Sequence, residues 1–163
     1  MYNACIITFV VLFLVFTIPA VDSINFSGEW LFDKSKSEYS EGGDRFIPIK
    51  LKIVQSDTLL LIERTYQREF DGDFVDTLKF TLDGAENYSE FWNSPRIIRA
   101  SWTENKDALV IKTKITFSRD GQESEMLSTD IWRLKQDGTE ISRDFTINGP
   151  WGEFNAIYVF CKM

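Results

Sequence analysis

From Ile24 onward, apolar and polar residues alternate with a period of two, and no stretch sustains the 3.6-residue period of a helix. The clearest run sets Leu109, Ile111, Thr113, Ile115 and Phe117 against Val110, Lys112, Lys114 and Thr116. The alternation predicts nine strands, at 25–33, 45–55, 58–68, 75–82, 97–103, 109–117, 125–134, 139–147 and 153–162. Between several of them stand Asp71-Gly72, Asp83-Gly84, Asp120-Gly121, Asp137-Gly138 and Asn148-Gly149, residue types that accept the positive φ of tight hairpin turns. Short links of this kind imply an antiparallel meander, because parallel pairing needs long crossovers. A meander this large must hide its edges. The expected fold is therefore all-β, an antiparallel up-and-down β-barrel of about eight to nine strands, with a two-sheet β-sandwich as the alternative.

The first stretch of the chain breaks this pattern. Cys5 to Pro19 is uncharged and almost wholly apolar, too short for a comfortable membrane span of about 20 residues. Small residues follow, up to Ser23. This is the layout of a secretory signal peptide over 1–23, followed by one domain over 24–163. No Lys or Arg precedes the apolar run, which keeps an uncleaved anchor as the other reading. A secreted or periplasmic location follows from the first reading.

Charge then narrows the partners. The chain carries 18 basic and 25 acidic residues and no histidine, for a net charge of −7. Removal of 1–23 takes away Asp22 alone among the charged residues. An acidic domain without a Lys/Arg cluster is a poor match for nucleic acid or an anionic membrane surface. Nor is stable membrane insertion expected after cleavage. Cys161 would be the one cysteine left, so no internal disulfide is available and packing must hold the fold. It is expected to be buried in the last strand.

Two links are longer than hairpins. Ser35 to Asp44 is polar and contains Gly42-Gly43, and Ala85 to Arg96 carries Phe91, Trp92 and Pro95. The aromatics of the second link either pack onto the body of the domain or form a lid over a cavity mouth.

Asn25-Phe26-Ser27-Gly28-Glu29-Trp30 resembles the Gly-x-Trp first strand of lipocalins and their calycin relatives. Trp102, Leu109-Val110-Ile111, Asp130-Ile131-Trp132-Arg133-Leu134 and Asp137-Gly138-Thr139-Glu140-Ile141 are similar to the bacterial secreted lipocalin-like domains. The likeness spans essentially all of 24–163, through short motifs. It implies a closed barrel around a small apolar molecule, with Gly28 and Trp30 as structural residues at the closed end. It also implies a basic side chain packed across Trp30, for which Arg133 or Arg143 are the candidates. The C-terminal helix of true lipocalins has no counterpart, since the pattern runs as a strand to the last residues.

The absence of histidine excludes Ser-His-Asp and Cys-His nucleophilic systems and histidine metal sites. No phosphate-binding Gly-rich loop follows a strand. No cofactor is expected. Acidic pairs at Asp71/Asp73 and Glu123/Glu125 read as solvated turn residues, and no catalytic residue is assigned. Asn25-Phe26-Ser27 and Asn87-Tyr88-Ser89 fit the N-glycosylation pattern.

The strongest functional signal is polar residues on apolar strand faces. Leu60, Ile62, Arg64 and Tyr66 share one face, as do Ile141, Arg143, Phe145 and Ile147, and Phe154, Ala156, Tyr158 and Phe160. A cation facing a barrel interior must be paired. One explanation is structural: an internal ion pair with Glu63, or with Asp130 displaced by a bulge, or Arg143 packed over Trp30. The other is a binding site in which Arg64 or Arg143, with Tyr66, Tyr158 and Trp92, receives the carboxylate of a fatty-acid-like ligand. The leading expectation is an exported, non-enzymatic binding module for a small hydrophobic molecule. Its rivals are a filled barrel that binds protein or glycan on its outside, with Trp151 as a candidate contact, and an enzyme built on carboxylates or Tyr/Arg.

Overall fold

The computed structural model describes residues 24–40, 43, 47–67, 72–119, 121–135 and 137–163. Residues 1–23, with the expected signal peptide and its cleavage point, lie outside them, as do Asp71 and Asp120. The described residues form eleven strands: β1 Gly28–Phe32, β2 Glu38–Tyr39, β3 Lys50–Gln55, β4 Leu59–Tyr66, β5 Phe74–Thr81, β6 Asn87–Phe91, β7 Ser94–Trp102, β8 Leu109–Arg119, β9 Gln122–Leu134, β10 Glu140–Gly149 and β11 Gly152–Lys162. One 3-10 turn, Lys34–Lys36, follows β1. None of the described helical segments is long and apolar enough to cross a membrane.

All pairings are antiparallel, in the order β5-β4-β3-β1-β11-β10-β9-β8-β7-β6, with the short β2 also lying against β11. β1 pairs with β3 on one side and β11 on the other, which rolls the meander into a barrel. Closure is almost complete. No ladder joins β5 to β6, the two ends of the path. The Thr81 N–H donates to Asn87 Oδ1 at 3.1 Å and the Asn87 amide donates to Thr81 Oγ1 across that seam, and just past β5 an isolated bridge pairs Asp83 with Ser101 of β7, the Gly84 N–H donating to the Ala100 carbonyl at 2.8 Å. The barrel reading therefore holds and the sandwich does not.

Two strands come in addition to the nine expected, and both lie in the longer links: β2 in 35–44 and β6 in 85–96. The link 85–96 is not a loop but β6, a two-residue turn and the start of β7. Trp92 and Asn93 occupy that turn with φ of 48° and 59°, the conformation that matches the twist of a two-residue hairpin. Pro95 concealed the strand in the sequence. Its missing N–H is harmless, because the β7–β8 ladder begins only at Arg96↔Ile115. Similarly, Asn148-Gly149 lies inside β10, and Pro150-Trp151 make the turn beyond it.

One end of the barrel is plugged. Leu51, Ile53, Leu60, Ile62, Phe80, Ile98, Leu109, Trp132, Ile141 and Phe160 are almost wholly removed from solvent there, each large side chain stabilising by about 1.5–3 kcal/mol. Phe26 lies across the plug, stacked on Trp102 at 6.0 Å and edge-on to Trp132 at 5.7 Å. The Trp30 indole donates to the Phe26 carbonyl at 2.9 Å. Gly28 adopts φ +142°, and a Cβ there would lie 3.3 Å from Lys162 Cε. A basic side chain from a late strand does cover Trp30, but it is Lys162, with Nζ 5.4 Å from the ring centroid. Arg133 is exposed, and Arg143 faces Trp132, Tyr158 and Phe160 instead.

Candidate functional site

Above the plug the barrel is not filled. A cavity of about 330 Å³ is lined by apolar side chains, among them Leu78, Ile115, Phe145 and Ile147, together with Arg64, Arg96 and Arg143. The period-two geometry explains this mixture, since residues two apart share a face. Along β10 the inward positions are Ile141, Arg143, Phe145 and Ile147; along β4 they are Leu60, Ile62, Arg64 and Tyr66. Each strand thus contributes apolar residues to the plug, then a polar one at mid-height.

These polar residues form two ion-paired groups. Arg64 stands opposite Asp76 in the β4–β5 ladder and bonds it through Nη2. Arg96 reaches across the open seam from β7, placing Nη1 at 3.1 and 2.9 Å from the two Asp76 oxygens, while its Nε donates to Ser89 Oγ at 2.9 Å. Arg143 grips Asp130 through Nε, at 3.2 and 3.1 Å, and through Nη2. Arg96 and Arg143 are both 2% exposed. Burial raises the Asp76 carboxyl, but Arg64 and Arg96 outweigh it and hold the group below its usual range. Burial likewise opposes the Arg64 charge, and attraction to Tyr66, Asp76 and Asp130 lifts it above its ordinary value. Among the described residues, three buried side-chain donors make no hydrogen bond: Arg64 Nε, Arg143 Nη1 and Trp132 Nε1.

Aromatic side chains ring the cavity above these charges. Tyr66 and Phe74 lie 6.1 Å apart, Phe74 and Trp92 5.8 Å, and Phe91 stacks on Trp92 at 4.9 Å. The Phe74–Trp92 contact crosses the seam between β5 and the β6–β7 hairpin. Trp92 is 62% exposed yet also lines the cavity.

Of the residues singled out in the sequence, Arg64, Tyr66, Arg143 and Trp92 line this one cavity. Tyr158 is not among the lining residues. It is fully buried, and its hydroxyl donates to the Gly43 carbonyl at 3.0 Å. Asp130 is the partner of Arg143 without any bulge, since the β9–β10 ladder is unbroken from Ile141↔Leu134 to Asn148↔Leu127. Glu63 points outward to Lys52. Arg96 and Asp76 escaped notice in the sequence. Arg96 closed a supposed loop, whereas Asp76 shares a face with Leu78 and Phe80 and carried the same signal as Arg64. Cys161 is half-buried, between Lys36 and Asp33, and its thiol is pushed up mainly by burial.

No family model matches the chain, and no curated protein matches it. A solved structure does: zebrafish ileal bile acid-binding protein complexed with cholic acid, at TM-score 0.54 and 18% sequence identity, covering 85% of this chain and 98% of that one. The fold is a calycin-like barrel. At this level of identity the likeness concerns the fold alone, and nothing in it singles out the bacterial secreted domains.

Proposed function

We propose that this protein is an exported binding module that holds one small hydrophobic molecule, fatty-acid-like in carrying an anionic group, inside its barrel. The observation that carries the reading is the cavity of about 330 Å³, with apolar walls and guanidinium groups at one end. A barrel filled at native density would have no such space, which disfavours the rival of a purely external interaction module. Asp76 and Asp130 are each tied to a guanidinium, leaving neither poised as a general acid or base, which disfavours the enzymatic rival. The zebrafish protein of similar fold is described in complex with cholic acid, itself a hydrophobic molecule with an acid group. Export, to the periplasm or outside the cell, rests on the apolar run from Cys5 to Pro19.

The test is native mass spectrometry of the protein secreted by its own leader and purified without detergent. A retained mass of a few hundred daltons, lost on denaturation and acidic on extraction, is the expected result. An empty protein that also fails to bind dodecanoate would refute the reading.

A further inference from the structure

The inner wall formed by β8 and β9 breaks its apolar pattern at one layer. Along β8, Leu109, Ile111 and Ile115 are buried, and Thr113 shares their face between Ile111 and Ile115. Along β9, Ser128 shares a face with Met126, Asp130 and Trp132. Thr113 and Ser128 stand directly opposite each other in the β8–β9 ladder, and both line the cavity. Hydroxyl side chains so placed commonly bond each other or the nearby backbone. These do neither. Both residues are half-buried, and among the described residues no hydrogen bond reaches either hydroxyl. In the neighbouring layer the polar groups are paired, Arg143 with Asp130 and Arg96 with Asp76 and Ser89. Tyr66 and Gln67 also line the cavity, but at the end of β4 and just beyond it, at the mouth.

Each hydroxyl offers one donor and two acceptor lone pairs. Opposite residues of an antiparallel pair hold their Cβ atoms about 4.5–5.5 Å apart, so one ligand oxygen can bond both hydroxyls. An alcohol oxygen can donate to one and accept from the other. A hydrocarbon chain lying on the same wall strips water from both hydroxyls and returns no bond, which is unfavourable. We infer that the Thr113–Ser128 pair is a subsite for an alcohol group on the body of the ligand. The cavity thereby prefers a hydroxylated lipid acid to one with a plain hydrocarbon chain. This names the ligand class of the same cavity and rests on the binding reading above.

The test is a calorimetric titration of delipidated protein with dodecanoate and with the monohydroxydodecanoates that carry the hydroxyl at successive carbons. The readout is the affinity of the best hydroxylated member relative to dodecanoate. In wild type that ratio should be about ten, the worth of one or two hydrogen bonds. The Thr113→Val/Ser128→Ala double variant nearly keeps the shape of the wall and should bring the ratio to one or below. Each single variant, losing one of the two bonds, should fall between. Thr129→Val, on the outward face of β9 between Ser128 and Asp130, should keep the wild-type ratio. A wild-type ratio of one, or a preference that survives both single variants and the double variant, overturns the subsite and leaves the binding reading standing. No binding by any member of the series, dodecanoate included, overturns both.

Discussion

Arg143 shows how one residue can be both structural and functional. Two of its nitrogens are committed to Asp130, while its guanidinium faces the rings of Trp132 at 5.1 Å, Phe160 at 5.5 Å and Tyr158 at 5.9 Å. Removing it strands a buried carboxylate, so Arg143→Ala should lower stability by about 3–5 kcal/mol in urea unfolding, the penalty typical of breaking a buried pair. Replacing Asp130 by alanine as well should recover much of that loss. A double variant no more stable than Arg143→Ala would mean that the ring contacts, not the ion pair, hold this part of the barrel. The position was legible in the sequence because a cation on the face shared by Ile141, Phe145 and Ile147 is conspicuous. Its counter-ion was assigned a bulge that the strand does not need: Asp130 and Trp132 are two apart and already share the inward face. Tyr158 is the opposite case. Its inward direction follows from alternation, but its hydroxyl is satisfied by the backbone of Gly43, over a hundred residues away, which no local pattern encodes.

At the scale of elements, the β6–β7 hairpin is where local reading failed and where the barrel is least secured. β6 has a ladder on one side only, with β7. Its turn carries Trp92-Asn93 in place of the Asn-Gly or Asp-Gly pair that announces a two-residue hairpin. Toward β5 the hairpin is joined by Asn87, by the Arg96–Asp76 pair and by the Phe74–Trp92 contact. Asn87 does there what a ladder would otherwise do. Asn87→Ala should leave the Thr81 N–H without its acceptor and lower stability by about 1–2 kcal/mol. Amide exchange should accelerate at Thr81 and along β6 while the β3–β4 hairpin remains as protected as before. Uniform acceleration across all strands would show that the seam does not open separately. The sequon at Asn87-Tyr88-Ser89 is thus engaged by structure, since both its amide oxygen and nitrogen are in use.

For the whole molecule, the same charges that shape the cavity should govern its response to acid. With no histidine in the chain, no unperturbed side chain titrates between about pH 5 and 8, and stability should be nearly flat across that range. Below it, Asp76 dominates the argument. Its folded pKa is depressed from 3.8 because Arg64 and Arg96 outweigh the effect of burial. A depressed carboxyl contributes stability that is complete above its unfolded value and is lost as pH falls through the folded one. Protonation there also leaves Arg64 and Arg96 facing each other without their shared anion, at the seam where no ladder joins β5 to β6. Urea midpoints should therefore stay level from neutrality down to about pH 4 and then drop, with seam amides exchanging before those of the plug. Asp76→Asn should show the faster seam exchange already at neutral pH and a shallower acid limb. An unchanged acid limb in that variant would place the acid sensitivity with exposed pairs such as Glu29–Lys50, whose carboxyl is lowered mainly by its bond to the lysine.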